Sequence, residues 1–299
     1  MTTFRELEAF VAVVDLGTFE RAARSLGTSQ SNISRVISGF EEAFDKPLFN
    51  REQRAVRLTM EGQEVLRLAR GILRHRANLT ERFGHPDLVS STLRLGVTEL
   101  VALTWLGRFL AELRQKYPRL RVEPQVGSSS SLHTLLRNGQ LDVAIVLSAI
   151  RTTEMARLPL GVARFGWYCA PDLPTSAGLS LAEFERHTVL LQGDARTGVS
   201  VSSKWLLDRN VQPTNTVHID SLVALAGICA AGLGLGCLPS AIARGLVQNG
   251  TLREVEIPIG GPELEYIALI RIDAISNFHR TVAALAHQQC NFQASFYGA

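Results

Sequence analysis

Residues 18–59 constrain this chain more than any other stretch: TFERAARSLGTSQSNISRVISGFEEAFDKPLFNREQRAVRLT. Thr18 is a good helix N-cap, and Phe19, Ala22, Ala23 and Leu26 follow at helical spacing. Gly27 supplies a tight turn. Thr28 or Ser29 then caps a second helix whose apolar face is Ile33, Val36, Ile37 and Phe40. The paired alanines matter, because two steeply crossing helices need small residues where their backbones approach. The opposite face of the second helix carries Gln30, Ser31, Ser34, Arg35 and Ser38. It offers short hydroxyls, an amide and a guanidinium, without the Glu and Lys of an ordinary solvated face. Such groups read base edges and bond phosphates in a major groove. On composition alone the same face could also belong to a polar helix in some other bundle.

The flanking segments narrow this choice. Phe4, Leu7, Phe10, Val11 and Val14 predict a first helix over residues 3–16, ended by Gly17. Residues 47–49 and 56–58 read as two short strands, and their tip carries Arg51 and Arg54. Cationic side chains on a ribbon beside a recognition helix suit backbone or minor-groove contacts, although a solvated hairpin tip would look the same. Thr59 caps a helix over residues 60–83. Its stripe is Val65, Leu68, Ala69, Ile72, Leu79 and Phe83, and Arg67, Arg70, Arg74 and Arg76 fill much of the remainder. So long a helix with one apolar stripe calls for a partner, either a second copy of itself or its own chain.

The net charge of the 299 residues is only +3, so overall charge announces no polyanion. Its distribution says more. Residues 21–57 hold seven Arg or Lys against four Asp or Glu, with no acid between Arg21 and Phe40. A locally basic face is sufficient for a duplex. Cys169, Cys229, Cys237 and Cys290 form no CxxC and no disulfide framework. The N-terminus reads as a helix start rather than a signal peptide. The apolar run at 222–238 is laced with Gly and too broken to span a bilayer. The expectation is a cytoplasmic protein with free thiols and no membrane partner. The scattered histidines form no HxxxH, so no metal and no cofactor are expected. No Ser-His-Asp set is recognisable, so the chain is not expected to be an enzyme. Residues 232–236, GLGLG, follow a helix rather than a strand and fail the context test for a dinucleotide loop.

Residues 1 to about 90 resemble the N-terminal domain of LysR-type transcriptional regulators. The resemblance is carried by Leu7-x-x-Phe10, Phe19-x-x-Ala22-Ala23-x-x-Leu26, Ser29-Gln30-Ser31-x-Ile33-Ser34-Arg35-x-Ile37, Pro47-Leu48-Phe49-x-Arg51 and Leu58-Thr59-x-x-Gly62. Three positions depart from the family pattern: Ser31 where Pro is common, Asn32 for a small apolar residue, and Asp45 for Gly. They bear on the operator sequence and not on the mode of binding. The resemblance implies contacts to double-stranded DNA from Ser29, Gln30, Ser31, Asn32, Ser34, Arg35, Arg51 and Arg54. It also implies a homodimer through the linker helix, a homotetramer, and a contact with RNA polymerase should the protein activate transcription.

Past a polar, Pro-containing hinge the pattern changes to α/β. Strands are predicted at 93–97, 120–126 and 143–147, with helices at 100–117 and 130–138 between them, so the sheet is parallel. A second unit follows, with strands near 164–170, 188–191, 217–219, 233–238 and 264–270, and a last helix at 276–289. Two α/β lobes joined by crossovers near 160–163 and 266–270 are expected, with a ligand cleft between them. The cues Leu93-x-Leu95-Gly96, Tyr117-Pro118, Gly139-x-Leu141-Asp142-x-Ala144-Ile145 and residues 230–239 resemble the effector-binding domain of the same regulators, similar to periplasmic binding proteins.

The fold class is therefore α/β. A winged helix-turn-helix at 1–59 is followed by a linker and dimerisation helix at 60–84 and a hinge at 85–92. A two-lobed effector domain occupies 93–299, with lobe one at 93–162 and 268–299 and lobe two at 163–267. Strand-to-helix junctions place Thr98, Glu99, Leu100, Ser128, Ser129, Ser148, Gly198, Ser200 and Ser221 as candidate contacts for a small-molecule effector. Of these, Ser128, Gly198 and Ser200 are the best supported by resemblance. Glu99 also has a plainer role, complementing the dipole of its own helix. The family commonly has a hydroxyl at the Leu100 position, where it meets an effector carboxylate. The expected function is a LysR-type regulator under effector control. The alternatives are a solute-binding protein or a redox-sensing regulator.

Overall fold

The computed structural model describes residues 2–44, 46–50, 56–83, 92–176, 178–193 and 200–293. The chain opens with α1 (Phe4–Leu16), α2 (Phe19–Ser25), α3 (Gln30–Glu42) and α4 (Met60–Phe83). Hydroxyls start the first three: Thr3 accepts from the Glu6 N–H in a reciprocal capping box, Thr18 from Arg21, and Ser29 from Asn32. Gly27 turns the chain between α2 and α3 at φ 62°, a left-handed conformation that favours glycine. Phe10, Ala22 and Phe40 are fully buried, and the Phe10 ring lies 5.4 Å from Phe40 and 5.3 Å from Phe49. Ala22 and Ala23 sit in this core. Leu26 does not: α2 ends at Ser25, so Leu26 falls in the turn and is 40% exposed.

Among the described residues the expected strand pair is one antiparallel bridge, Phe49 to Leu58. It is flanked by Asn50 N–H to Arg57 C=O at 2.8 Å and Thr59 N–H to Leu48 C=O at 3.0 Å. Buried Glu41, near the end of α3, accepts from the N–H groups of Leu48 (2.7 Å) and Phe49 (3.1 Å) and pins the base of this ribbon. Gly62 is required on the other side, because a Cβ there would lie 2.1 Å from the Leu48 carbonyl oxygen. Asp45, and the tip with Arg51 and Arg54, lie outside the described residues.

The stripe expected along α4 divides in two. Val65, Leu66, Ala69 and Leu73 pack on the N-terminal core, whereas Leu68 and Ile72 are half-exposed on another face. The side chains of Leu79 and Phe83 are not among those described. The hinge at 85–91 is also outside the described residues; Thr92 already belongs to the first strand.

The remainder is α/β. Strands β1 (Thr92–Val97), β2 (Arg121–Val126) and β3 (Val143–Leu147) are parallel in the order β2-β1-β3. Helices α5 (Glu99–Thr104), α6 (Leu106–Lys116) and α7 (Ser129–Arg137) make the crossovers. Next comes β4 (Met155–Cys169), then the short α8 (Leu181–Phe184). A second parallel group has the order β7-β5-β6, with β5 (Thr188–Gln192), β6 (Asn215–Ile219) and β7 (Leu235–Pro239). Its helices are α9 (Val201–Leu207), α10 (Leu222–Ala230) and α11 (Ser240–Gln248). The last strands are β8 (Arg253–Val255) and β9 (Glu263–Arg271), and α12 (Asn277–Gln289) follows.

Long β4 and β9 run antiparallel, from Met155 opposite Arg271 to Arg164 opposite Glu263, and carry the chain between the two parallel groups. The full order is β2-β1-β3-β9-β4-β7-β5-β6, with β8 on β4. Both crossovers read from sequence fall inside these two strands.

Two details differ from expectation. The helix predicted over 100–117 breaks at Trp105, whose fully buried ring sits at the junction of α5 and α6. Strand β4 starts at Met155 rather than Arg164. Its register shifts between Pro159 and Gly161, where proline cannot donate to a ladder, and this irregularity hides the alternation.

A candidate DNA-reading face and a candidate effector cleft

Helix α3 turns its apolar residues Ile33, Ile37 and Phe40 into the core. This leaves Ser29, Gln30, Ser31 and Arg35 exposed and Asn32 and Ser34 half-buried. The face is loosely held by its own neighbours. Ser29 and Ser31 share a 3.1 Å hydroxyl contact, and Gln30 Nε2 lies 3.4 Å from Ser34 Oγ. Asn32 is the better fixed, donating to Thr28 Oγ1 at 2.9 Å and accepting from Arg35 Nη2 at 3.0 Å. It therefore steers the guanidinium. All six side chains come together around the first turns of α3. A groove of about 570 Å³ lies along the flank of α3 facing α1 and includes Phe4, Glu8, Leu26, Asn32 and Val36.

Behind this face, Arg70 of α4 is buried and joins the reader to the α/β region. It pairs with Asp15 at the end of α1 and donates at 3.1 Å to the Asn138 carbonyl at the end of α7. Burial pulls its guanidinium below the ordinary value, while Asp15 opposes the shift. Arg94 stands beside them, 4.0 Å from Asp15 and 2.8 Å from Asp142. Burial pulls its value down too, but the bonds to Asp142 outweigh this and leave it raised. The sequence pattern had placed Arg70 only on a polar helix face. Partners so far away in the chain leave no local signal.

In the α/β region, Glu99 opens α5 but does not cap it. Its carboxylate accepts from the Ser221 hydroxyl (2.9 Å), the Leu222 N–H (2.7 Å), the Val223 N–H (3.5 Å) and Gln192 Nε2 (3.4 Å). Three of these donors belong to the N-cap and first residues of α10, and Gln192 ends β5. Thr98 is buried beside Tyr266, whose hydroxyl burial pushes up to about 12, with Thr98 opposing. Leu100 is 2% exposed and packs in the core, so its side chain is not a cleft surface.

The serine caps form separate groups. Ser128 caps α7 and contacts Ser130 and Ser131, each at 3.1 Å. Ser129 accepts from the Leu147 N–H at 3.2 Å. Ser148 instead donates to Glu265 at 3.2 Å, on the β3–β9 edge. Ser200 caps α9 and meets Ser203 Oγ at 2.8 Å, which in turn lies 2.8 Å from His218 Nε2. Ser203 and His218 escaped the sequence reading, because neither falls at a strand-to-helix junction. Gly198 lies outside the described residues.

An outward polar helix in a helix-turn-helix, attached to two parallel strand groups, is the arrangement matched by two family models. The model described as bacterial regulatory helix-turn-helix protein, lysR family, matches residues 4–63, and that of the LysR substrate binding domain matches residues 86–291. The chain belongs to the LysR family. It is a LysR-type transcriptional regulator with a helix-turn-helix DNA-binding domain and an effector-binding domain.

Similar LysR-type proteins include the HTH-type transcriptional regulator CzcR of Bacillus subtilis (25% identical over 247 residues, 82% of this chain and 83% of that protein). Among solved structures, a full-length OxyR variant from Pseudomonas aeruginosa has a TM-score of 0.76 at 21% identity, covering 98% of this chain and 96% of that one. Full-length LysG from Corynebacterium glutamicum, with bound effector Arg, has a TM-score of 0.61 at 18% identity, covering 96% and 98%. These two likenesses concern the fold alone.

Burial disfavours the thiolate at all four cysteines of this LysR-type chain. Burial pushes Cys229 and Cys237 up to about 12 and Cys290 up to about 11, and it raises Cys169 as well. A reactive cysteine needs the opposite shift. Among the described residues no His, Cys, Asp or Glu group could hold a metal ion, and no helix is long and apolar enough to cross a membrane.

Proposed function

We propose that this regulator reads a DNA half-site with Ser29, Gln30, Ser31, Ser34 and Arg35, with Asn32 orienting Arg35, while Arg51 and Arg54 grip the backbone. The observation that carries this is the exposed α3 face, whose hydroxyls, amide and guanidinium hold one another weakly and remain open to bases and phosphates. Two such readers pair through α4 in a homodimer, a reading supported by the half-exposed Leu68 and Ile72. Dimers associate into a homotetramer, which contacts RNA polymerase where it activates. The protein works in the cytoplasm and catalyses no reaction.

The effector binds between the two parallel strand groups, among Thr98, Glu99, Ser128, Ser129, Ser200 and Ser221, with Ser148, which follows β3, and Gly198 as further candidate contacts. The division into reader (1–59), linker helix (60–84), hinge (85–92) and two lobes follows the same reading. Binding shifts the population of lobe arrangements and so changes how the paired readers sit on DNA. Footprinting of full-length protein on the DNA upstream of its own gene tests this. A protected, sequence-dependent site with two half-sites is expected. Folded protein that protects no nearby intergenic DNA would sink the assignment.

A further inference from the structure

Glu99 occupies a place where other folds hold a ligand. The first N–H groups of a helix have no partner within it, and a small anion is their natural occupant. At α10 those donors are the N–H groups of Leu222 and Val223, joined by the Ser221 hydroxyl and the Gln192 amide. The anion they hold is a carboxylate from the same chain, 122 residues before Ser221. Bonds of this kind, from neutral donors to an ionised acceptor, are roughly twice as strong as neutral ones.

The tether also crosses the molecule. Glu99 follows β1, whereas α10 follows β6, and these strands belong to parallel groups on opposite sides of the β9–β4 pair. Among the described residues the carboxylate makes no capping bond at its own helix, and Thr98, the N-cap of α5, makes no side-chain capping bond either.

We propose that Glu99 is a built-in carboxylate ligand that fills an anion seat at the start of α10, ties the two strand groups together without effector, and sets effector specificity. Small carboxylates are shut out of this seat in the native protein, and an effector with a free carboxylate must displace Glu99 to use it. The specificity clause rests on the effector cleft described above; the tether does not.

The test uses full-length protein, with acetate as the probe and chloride as the control at matched ionic strength. Glu99→Ala should unfold at a lower temperature than the wild type, and acetate should raise that temperature dose-dependently while leaving the wild type unmoved. At tenfold excess over its Kd, acetate should shift the folding equilibrium about elevenfold. A variant that folds only in acetate supports the proposal equally. Glu99→Gln keeps the seat filled but loses the charge; it should be destabilised and insensitive to acetate. Two results overturn the proposal: both variants unfolding like the wild type, or acetate acting on Glu99→Ala no more than chloride does. No arm uses DNA or the natural effector, so failure here is separable from failure of the cleft reading.

Discussion

The outward face of α3 and the junction behind α4 are built from similar side chains and put to opposite uses. On α3, Arg35 is exposed, and among the described residues it bonds Asn32, a neighbour on the same helix. At the junction, Arg70 is 5% exposed and its partners come from α1 and from the end of α7, 55 and 68 residues away. The first arginine leaves most of its guanidinium open to solvent. The second spends its donors on architecture, joining the reader to the helix that begins at Ser128 beside the candidate cleft. Burial and the separation of partners therefore say what an arginine is for, and residue type does not.

The largest effect tests the junction. Arg70→Ala removes one partner of a buried ion pair and leaves Asp15 facing the neighbouring network. Loss of such a partner costs about 3–5 kcal/mol, and Asp15 is 35% exposed, so the lower end, about 3 kcal/mol, applies. Urea unfolding measures it. On an Asp15→Asn background the same change should cost clearly less, because the two side chains form one unit. Additive losses in that cycle would show that Arg70 serves packing rather than pairing.

Next in size is Arg35→Ala, which reverses the pattern. The unfolding free energy should move by no more than about 0.5 kcal/mol, because the side chain is exposed and its bond to Asn32 is local. Affinity for the specific site should fall by about 1–3 kcal/mol, roughly 5- to 150-fold, with non-specific DNA little affected. Titration of matched and scrambled duplexes decides. An equal loss on both would make Arg35 a phosphate contact.

The same contrast explains how much the sequence disclosed. Helices α1 to α3 were legible because their signals are local: hydroxyl caps, Gly27, and apolar residues at helical spacing. The parallel strand groups were legible as well, from short apolar runs alternating with helices. What stayed hidden depends on distant partners. Glu99 was read as a dipole complement for α5 or as an effector contact; its bonds to the start of α10 are a further role, made by partners more than 90 residues away. Leu100 was placed at the cleft and lies in the core, because one step along α5 from Glu99 turns its side chain by about 100° onto the inner face. Burial of Arg70 could not be told from the exposure of Arg67 and Arg76, because the three lie in one polar pattern along α4.

The smallest effect belongs to Arg76, and it sharpens burial as the leading variable. Like Arg70 it lies on α4 and pairs with an acid of α1, here Glu8 at 2.7 Å; its guanidinium also sits 4.8 Å above the Phe4 ring. The chemistry matches that of Arg70 with Asp15, and the helices are the same. The largest difference is solvent: the side chains of Arg76 and Glu8 are 47% and 41% exposed, whereas that of Arg70 is 6% exposed. Water screens such a pair, and ordering two long side chains offsets much of the Coulomb gain. Arg76→Ala should therefore cost no more than about 1 kcal/mol, cation–π contact included. Part of even that should vanish at ~1 M salt, where the screening length is about 3 Å, whereas the Arg70 effect should persist. Urea unfolding of both variants at low and high salt makes the comparison. Equal costs, or equal salt dependence, would mean that something other than burial sets the two arginines apart.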